Sequence, residues 1–346
     1  GKYLKPGMLV VLESTITPGT TEGMAKQILE EESGLKAGED FALAHAPERV
    51  MVGRLLKNIR EHDRIVGGIN EASTKRAVEL YSPVLTVGKV IPMSATAAEV
   101  TKTAENTFRD LQIAAINQLA LYCEAMGINV YDVRTGVDSL KGEGITRAVL
   151  WPGAGVGGHC LTKDTYHLER GVKIGNRKLD YPEGADSIYV LARKINDFMP
   201  VHMYNLTVEA LKRIGKEMKN SKVAILGWAF IRDSDDARNT PSEPYRDLCL
   251  KAGATVIVHD PYVVNYPGIE ISDNLEDVIR NADAIVILTG HSAYFDIKAD
   301  WVKEVSGKAN PVIVDGRNVI EPDEFISRGF VYKGVGRGDK NEHLIV

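Results

Sequence analysis

Cysteine is scarce in this chain: among 346 residues there are three, Cys123, Cys160 and Cys249, with no C-x-x-C spacing and an odd total. That excludes a disulfide framework and a cysteine-rich zinc site, leaves no metal site to expect, and points to a reducing cytoplasm. An excess of positive charge is missing too. Lys and Arg number 42 against 47 Asp and Glu, a formal net charge of −5, which argues against a general nucleic-acid or membrane-surface binder. No apolar run is long enough to span a bilayer, and no charged segment followed by an apolar core opens the sequence. Short-period repeats and low-complexity tracts are absent. So is a G-x-G-x-x-G turn after any early strand-like run, where a dinucleotide-binding fold normally carries it. Either the first part is no dinucleotide domain or its front lies outside this sequence.

What is present reads as an ordinary globular enzyme. Hydrophobic residues make up 44% and charged residues 26%, enough for sizeable cores, and the length suits about two domains of roughly 150 residues each. Strand-like runs (MLVVLEST, FALAHAPE, DRIVGG) alternate with helical ones (TTEGMAKQILEEES, NEASTKRAVELYS), the pattern of α/β architecture. Residues 94–127 read as one long helix, with Leu111, Ile113, Ile116, Leu119 and Leu121 among its apolar positions. A second helix over about 186–215 carries Pro200, where an interruption or kink is expected. From KVAILG at 222 a fresh unit begins, with strands near 255–259, 284–289 and 312–315. The expected fold is two doubly wound, Rossmann-like domains joined by a long central helix. Its segments are 1–93, 94–215 and 216–346, and the long helix is a candidate dimer surface.

The most telling segment is WPGAGVGGHCLTKD, Trp151 to Asp164. Gly153, Gly155, Gly157 and Gly158 let the backbone turn sharply and approach a ligand. LTKDTYHLERG then reads as helix, which places Cys160 near a helix N-terminus, where unpaired N–H groups and Lys163 favour a thiolate. If that helix starts at Cys160, Asp164 lies one turn on, on the same face. The plainer alternative is a glycine-rich turn with an incidental buried thiol.

Several further blocks recur with this loop in a fixed order, and together they carry a resemblance. ESTITPGTTE at 13–22, APERV at 46–50, EVTKTAENTFRDLQIAAINQLA at 99–120, PGAGVGGHCLTKD at 152–164, WAFIRDSDDARNTPS at 228–242 and IVDGRNVI at 313–320 resemble the nucleotide-sugar 6-dehydrogenases over nearly the whole length. The resemblance implies an NAD-dependent enzyme that oxidises C6 of a UDP-sugar to the uronic acid, working as a homodimer or homotetramer. It implies Cys160 as nucleophile, Thr15, Glu48, Lys102, Asn106 and Asp164 as further catalytic residues, and Ser14, Thr15 and Lys163 beside the cofactor. It places Gly155, Gly157, Gly158, Arg147, Phe230, Arg232, Arg238 and Arg317 around the substrate. PERV followed by NIREHDRIVGG, with Val52 where the glucose-oxidising members commonly carry a second glutamate, looks more like the UDP-N-acetylmannosamine branch; UDP-N-acetylglucosamine, UDP-N-acetylgalactosamine and UDP-glucose stay open. Another class also stays open: a UDP-sugar-binding fragment without activity.

Such a site needs these residue types together. A thiol traps the intermediate aldehyde and then carries a thioester. Asp164 with Thr15 activates water, with Glu48 as general base. Lys102 and Asn106, at i and i+4 on one helix face, converge on the C6 oxygen. Each has a plainer reading. Lys102 pairs with Glu99 or Glu105 on a solvated face, Thr15 ends a strand, Glu48 closes a loop, and Arg232 and Arg238 pair with Asp233, Asp235 or Asp236. Cys123 and Cys249 read as buried thiols, and GVGRGD at 334–339 as a turn.

Overall fold

The computed structural model describes residues 1–50, 54–140, 149–174 and 187–341; Val52 and Arg147 lie outside them. In chain order the elements are β1 (Leu9–Leu12), α1 (Lys26–Ser33), β2 (Ala42–His45), α2 (Leu55–Glu61), β3 (Arg64–Gly68), α3 (Glu71–Tyr81), β4 (Val90–Ser94) and α4 (Ala95–Ala125). There follow α5 (Val130–Asp138), α6 (Asp164–Ile174), α7 (Ile188–Arg213), β5 (Lys222–Leu226), α8 (Ser242–Lys251), β6 (Thr255–His259), β7 (Ile271–Ser272) and α9 (Leu275–Ile279). The last are β8 (Ala284–Ile287), α10 (Ala299–Ser306), β9 (Val312–Asp315), α11 (Pro322–Ser327) and β10 (Val331–Gly334). The chain divides into two compact units, Gly1–Phe108 with Lys163–Ser187, and Arg109–Thr162 with Ile188–Val346.

The first unit holds a four-stranded sheet in the order β1-β2-β3-β4. β1 and β2 run parallel, as do β3 and β4, but β3 runs antiparallel to β2. That reversal departs from the all-parallel pattern expected from alternating strands and helices; between β2 and β3 comes only the short helix α2, so the chain folds back beside the strand it has just left. Asn70 starts α3 by accepting a hydrogen bond from Ser73 N at 2.8 Å, the usual N-cap arrangement. The apolar cluster here is small: Ala44, Ala46, Val66 and Ala77, flanked by Leu9, Val11, Val78, Tyr81 and Val90.

In the second unit six strands lie fully parallel in the order β10-β9-β8-β5-β6-β7. Such strands are covered on both faces, so they read as near-continuous apolar runs. β5, β8 and β9 are VAIL, AIVI and VIVD in their buried stretches. Their side chains alternate between two cores. Val223, Ile225, Val286 and Val314 share one with Met199, Met203 and Leu206 of α7; Ala224, Leu226, Ile285 and Ile313 share the other with Val278, Val302 and Phe325. Burying each of the Val, Leu, Ile, Met and Phe side chains is worth roughly 1.5–3 kcal/mol.

Two helices of this unit are tied by a buried polar group. Arg193 of α7 donates to Asp110 Oδ1 of α4, and both are 1% exposed. Asn196 Nδ2 donates to Asp110 O at 2.9 Å and Oδ1 at 2.8 Å, while its own Oδ1 accepts from Asn117 at 2.9 Å. α7 runs as one helix through Pro200, so of the interruption or kink expected there the interruption does not occur. The proline ring instead walls the glycine loop: a Cβ on Gly155 would lie 3.2 Å from Pro200 Cδ.

Candidate active site

Doubly wound sheets bind ligands outside the carboxyl ends of the strands where strand order reverses. In the second unit that point lies between β5 and β8, and the residues that follow them are Gly227–Phe230 and Leu288–His291. Asp260, just past β6, organises the first of these segments by accepting from Trp228 N at 2.6 Å and Ala229 N at 2.9 Å. Thr289 Oγ1 donates to Ala229 O. His291 is buried; its Nε2 lies 3.0 Å from Asp260 Oδ2 while its Nδ1 accepts from Asp233 N at 3.0 Å. The loop 228–242 is therefore shaped from inside.

Against this loop lies the glycine-rich segment. A Cβ on Gly157 would sit 2.4 Å from Phe230 Cβ, and one on Gly158, whose φ is 87°, would sit 2.9 Å from the Phe230 ring. Only glycine fits either approach. Arg317, past the end of β9, donates Nε to Leu288 O at 2.9 Å and Nη2 to Gly155 O at 3.3 Å; among the described residues it has no carboxylate partner. Arg232 and Arg238 differ. Arg232 pairs with Asp233 at 3.2 Å and stacks on Phe295 with its guanidinium carbon 4.6 Å from the ring centre, and Arg238 chelates Asp236. Both thus make the ion pairs that the plainer reading expects.

Cys160 stands exposed at the end of the glycine run. The expected helix does not begin at it: α6 starts at Asp164, and residues 161–163 form a turn, because Gly158 closes onto Thr162 through Thr162 Oγ1 to Gly158 O at 2.7 Å. Cys160 thus precedes the first helical turn by four positions. Cys123 and Cys249 are buried as their helical patterns imply, and burial pushes the Cys249 thiol up to about 12 and that of Cys123 above its ordinary value. Alkylating reagents should meet one accessible thiol.

In the first unit the structure gathers Lys102, Asn106 and Asp164. Asn106 Nδ2 donates to Asp164 Oδ2 at 2.6 Å. Asp164 is 1% exposed. Burial raises its pKa above the ordinary carboxylate range, opposed by the Asn106 hydrogen bond and by the positive charge of Lys102. A carboxyl group poised in this way suits proton transfer. Neither expected acidic partner holds Lys102. Glu99 is wholly buried and accepts from Gly19 N at 2.6 Å, Thr21 N at 2.8 Å and Thr21 Oγ1 at 2.6 Å, while Glu105 pairs with Arg49 at 2.9 Å. Among the described residues no carboxylate reaches Lys102 within ion-pair distance, so its charge bears on Asp164.

The remaining expected residues are not joined to that group by any hydrogen bond in the described structure. Ser14 is exposed and Thr15 half-buried past the carboxyl end of β1, and neither hydroxyl has a hydrogen-bond partner among the described residues. Glu48 accepts from Arg64 Nη1 at 3.0 Å and from Arg49 N at 2.6 Å. Lys163 is exposed just before α6. His167, not foreseen from the sequence, lies 2.8 Å from Thr17 Oγ1 through Nδ1; its position one turn after Asp164 was the available signal. No described cluster of three or more His, Cys, Asp or Glu is arranged for a metal ion.

A six-stranded, fully parallel sheet and an exposed thiol on a glycine turn within the same unit define a protein of the doubly wound α/β class. Family comparison narrows the class. Residues 1–85 match the NAD binding domain of the UDP-glucose/GDP-mannose dehydrogenase family, residues 96–188 its central domain and residues 224–322 its UDP binding domain. The chain belongs to this family, and it is an NAD-dependent UDP-sugar dehydrogenase. It is 38% identical over 333 residues to the UDP-N-acetyl-D-mannosamine dehydrogenase of Pyrococcus horikoshii, covering 96% of this chain and 73% of that protein. The solved structure of a UDP-N-acetyl-D-mannosamine dehydrogenase from that organism superposes with a TM-score of 0.84 at 37% identity, covering 97% and 74%. The crystal structure of an NDP-N-acetyl-D-galactosaminuronic acid dehydrogenase from Methanosarcina mazei Go1 superposes with a TM-score of 0.96 at 89% identity, covering 99% of this chain and 72% of that one.

For the cofactor, the described residues fit one end only. The hydroxyls of Ser14 and Thr15 lie at the ligand edge of the parallel β1-β2 pair. The turn after β1 is no pyrophosphate cradle, since its Gly19 and Thr21 amides are already bonded to Glu99. No helix among the described residues is long and apolar enough to cross a membrane.

Arg317→Ala is expected to weaken UDP binding in calorimetry by about tenfold, since a charge-assisted bond at a strand end is worth about 1.5–3 kcal/mol. Unchanged affinity removes Arg317 from the nucleotide site.

Proposed function

We propose that this chain carries the four-electron oxidation of a UDP-N-acetylhexosamine at C6, with Cys160 as covalent nucleophile. The observation that carries the reading is Cys160 itself, the one exposed cysteine of three, presented on a turn that only glycine permits and adjoining the loop that belongs to the UDP binding domain. Two NAD⁺, bound in succession, would each accept one of the two hydrides that leave C6. Ser14, Thr15 and Lys163 serve the nicotinamide end. Lys102 and Asn106 stabilise negative charge on the C6 oxygen. Cys160 Sγ adds to C6 of the aldehyde, its proton passing to solvent or base, and forms a thiohemiacetal; after the second oxidation the same sulfur holds a thioester. Water then adds to the thioester carbon and the thiolate leaves, giving the carboxylate. Asp164, with Thr15, orders and deprotonates that water, and Glu48 is the auxiliary base, shared with Arg64. Phe230, Arg232, Arg238 and Arg317 face the nucleotide, with Gly155, Gly157 and Gly158 forming the floor; Arg147 completes the set from the sequence resemblance alone. A homodimer or homotetramer in the cytoplasm, supplying uronic acids for polysaccharide assembly, accords with this reading.

Two sugars are favoured by separate observations. The PERV block and the Pyrococcus relative favour the N-acetylmannosamine form, while 89% identity to the Methanosarcina protein favours the N-acetylgalactosamine form. Both share the acetamido group at C2. Leaving that amide unmatched in a closed site costs on the order of 1–3 kcal/mol, so a site built for it discriminates against glucose. An NADH absorbance assay run side by side is expected to show both N-acetylhexosamines or one of them preferred over UDP-glucose by at least about tenfold in kcat/KM, roughly 1.4 kcal/mol, with two NADH formed per sugar. Equal turnover of UDP-glucose overturns the N-acetylhexosamine reading.

A further inference from the structure

The turn that presents Cys160 is fastened at a single carbonyl. Gly158 O accepts from Thr162 Oγ1 at 2.7 Å and from Asn239 Nδ2 at 3.2 Å, and Gly158 N donates to Arg238 O at 2.8 Å. Cys160 sits midway between Gly158 and Thr162, so the Thr162 bond to that oxygen brackets the thiol. Asn239 reaches it from the loop 228–242 with φ at 50°, a left-handed conformation that Asn adopts more readily than most residues. Its own carbonyl closes the other side: a Cβ on Gly157 would lie 2.8 Å from Asn239 O. Residues 238 and 239 thus grip the glycine pair through two polar contacts and a steric one.

We propose that Asn239 is a positioning residue for the reaction: its side-chain amide fixes the Gly158 carbonyl and thereby the direction in which Cys160 projects its sulfur. The inference rests on the nucleophile reading of Cys160. Glycine-rich backbone is soft in φ and ψ, and a turn made of it holds direction only if something outside locks its peptide planes. Covalent attack requires the sulfur within about 3–3.5 Å of the carbon and aligned with it, and a displacement of about 1 Å is enough to slow chemistry severely. Thr162 lies within the turn and moves with it. Asn239 belongs to a different segment, the loop between β5 and α8, and so supplies the external reference.

Two variants of the full chain test this. Asn239→Gly keeps the left-handed backbone and deletes the amide; Asn239→Asp keeps the shape and sets a carboxylate against the Gly158 carbonyl. Both are expected to change the rate of iodoacetamide alkylation at Cys160, mapped by peptide mass, by about fivefold or more, and to lower kcat about tenfold with UDP affinity held within about twofold. Alkylation reports the turn whether or not the thiol is the nucleophile. Turnover retained by Cys160→Ser therefore defeats the nucleophile reading, whereas alkylation unchanged in both Asn239 variants defeats the positioning role. A raised KM with unchanged kcat and alkylation also overturns it, and makes Asn239 a nucleotide contact instead.

Discussion

Cys160→Ser is expected to bind UDP as the unmodified chain does and to lose steady uronate formation by about 10³-fold or more, as removal of a covalent nucleophile generally does. A serine alcohol is a far weaker nucleophile at neutral pH than a thiol, and an oxygen ester hydrolyses without the thiolate leaving group that drives the second half of the reaction. The buried positions of Cys123 and Cys249 leave no other thiol to take over. Calorimetry with UDP and an NADH trace with the sugar nucleotide check the two halves separately. Undiminished turnover sinks the nucleophile assignment.

The second large effect concerns stability. Arg193→Ala leaves Asp110, 1% exposed, without its cationic partner, and breaking a buried pair from one side costs about 3–5 kcal/mol. Asp110 Oδ2 already lacks a partner among the described residues, and burial raises the pKa of this carboxyl, with Arg193 and Asn196 opposing the rise. The sign follows from that direction. A carboxyl whose folded pKa stands above its unfolded value binds its proton more readily in the native state, so its contribution falls as pH climbs from the ordinary carboxylate value through the folded one. The variant is therefore expected to lose most stability near neutral pH and to recover part of it on mild acidification, when Asp110 becomes neutral. Urea denaturation at two pH values measures this; a loss below about 1 kcal/mol at pH 7 removes the pair from any central role.

Much of this architecture was legible in the chain because parallel strands advertise themselves. VAIL, AIVI and VIVD are short apolar runs bounded by loops, and their spacing against helical stretches specifies the doubly wound sheet of the second unit. The glycine loop was legible for the same kind of reason, since only a backbone without Cβ tolerates Phe230 at Gly157. Less could be read where tertiary pairing decides. Val90–Ser94 becomes a strand although its VIPMS sequence carries a proline and no alternation, because β3 offers it five partners in register. Lys102 illustrates the limit for side chains: three positions away on either side lie Glu105 and Glu99 in sequence, and nothing local says that one is claimed by Arg49 and the other by the amides of residues 19 and 21. The start of α6 was misplaced because LTKD is compatible with helix, and the Thr162 hydroxyl that diverts it acts through a carbonyl four residues back.

Glu99 brings with it a kind of electrostatic self-sufficiency. Free amides at the entry of a helical turn form a ready receptor for phosphate, and a protein that handles nucleotides meets phosphate constantly. Here the receptor after β1 is satisfied by a counter-ion that is part of the polypeptide, present at fixed stoichiometry and unable to diffuse away. Inorganic phosphate gains nothing by competing there, because displacing Glu99 would leave a carboxylate stranded in the interior. The turn is thereby silent toward anions, its amides already claimed by a residue of the same unit.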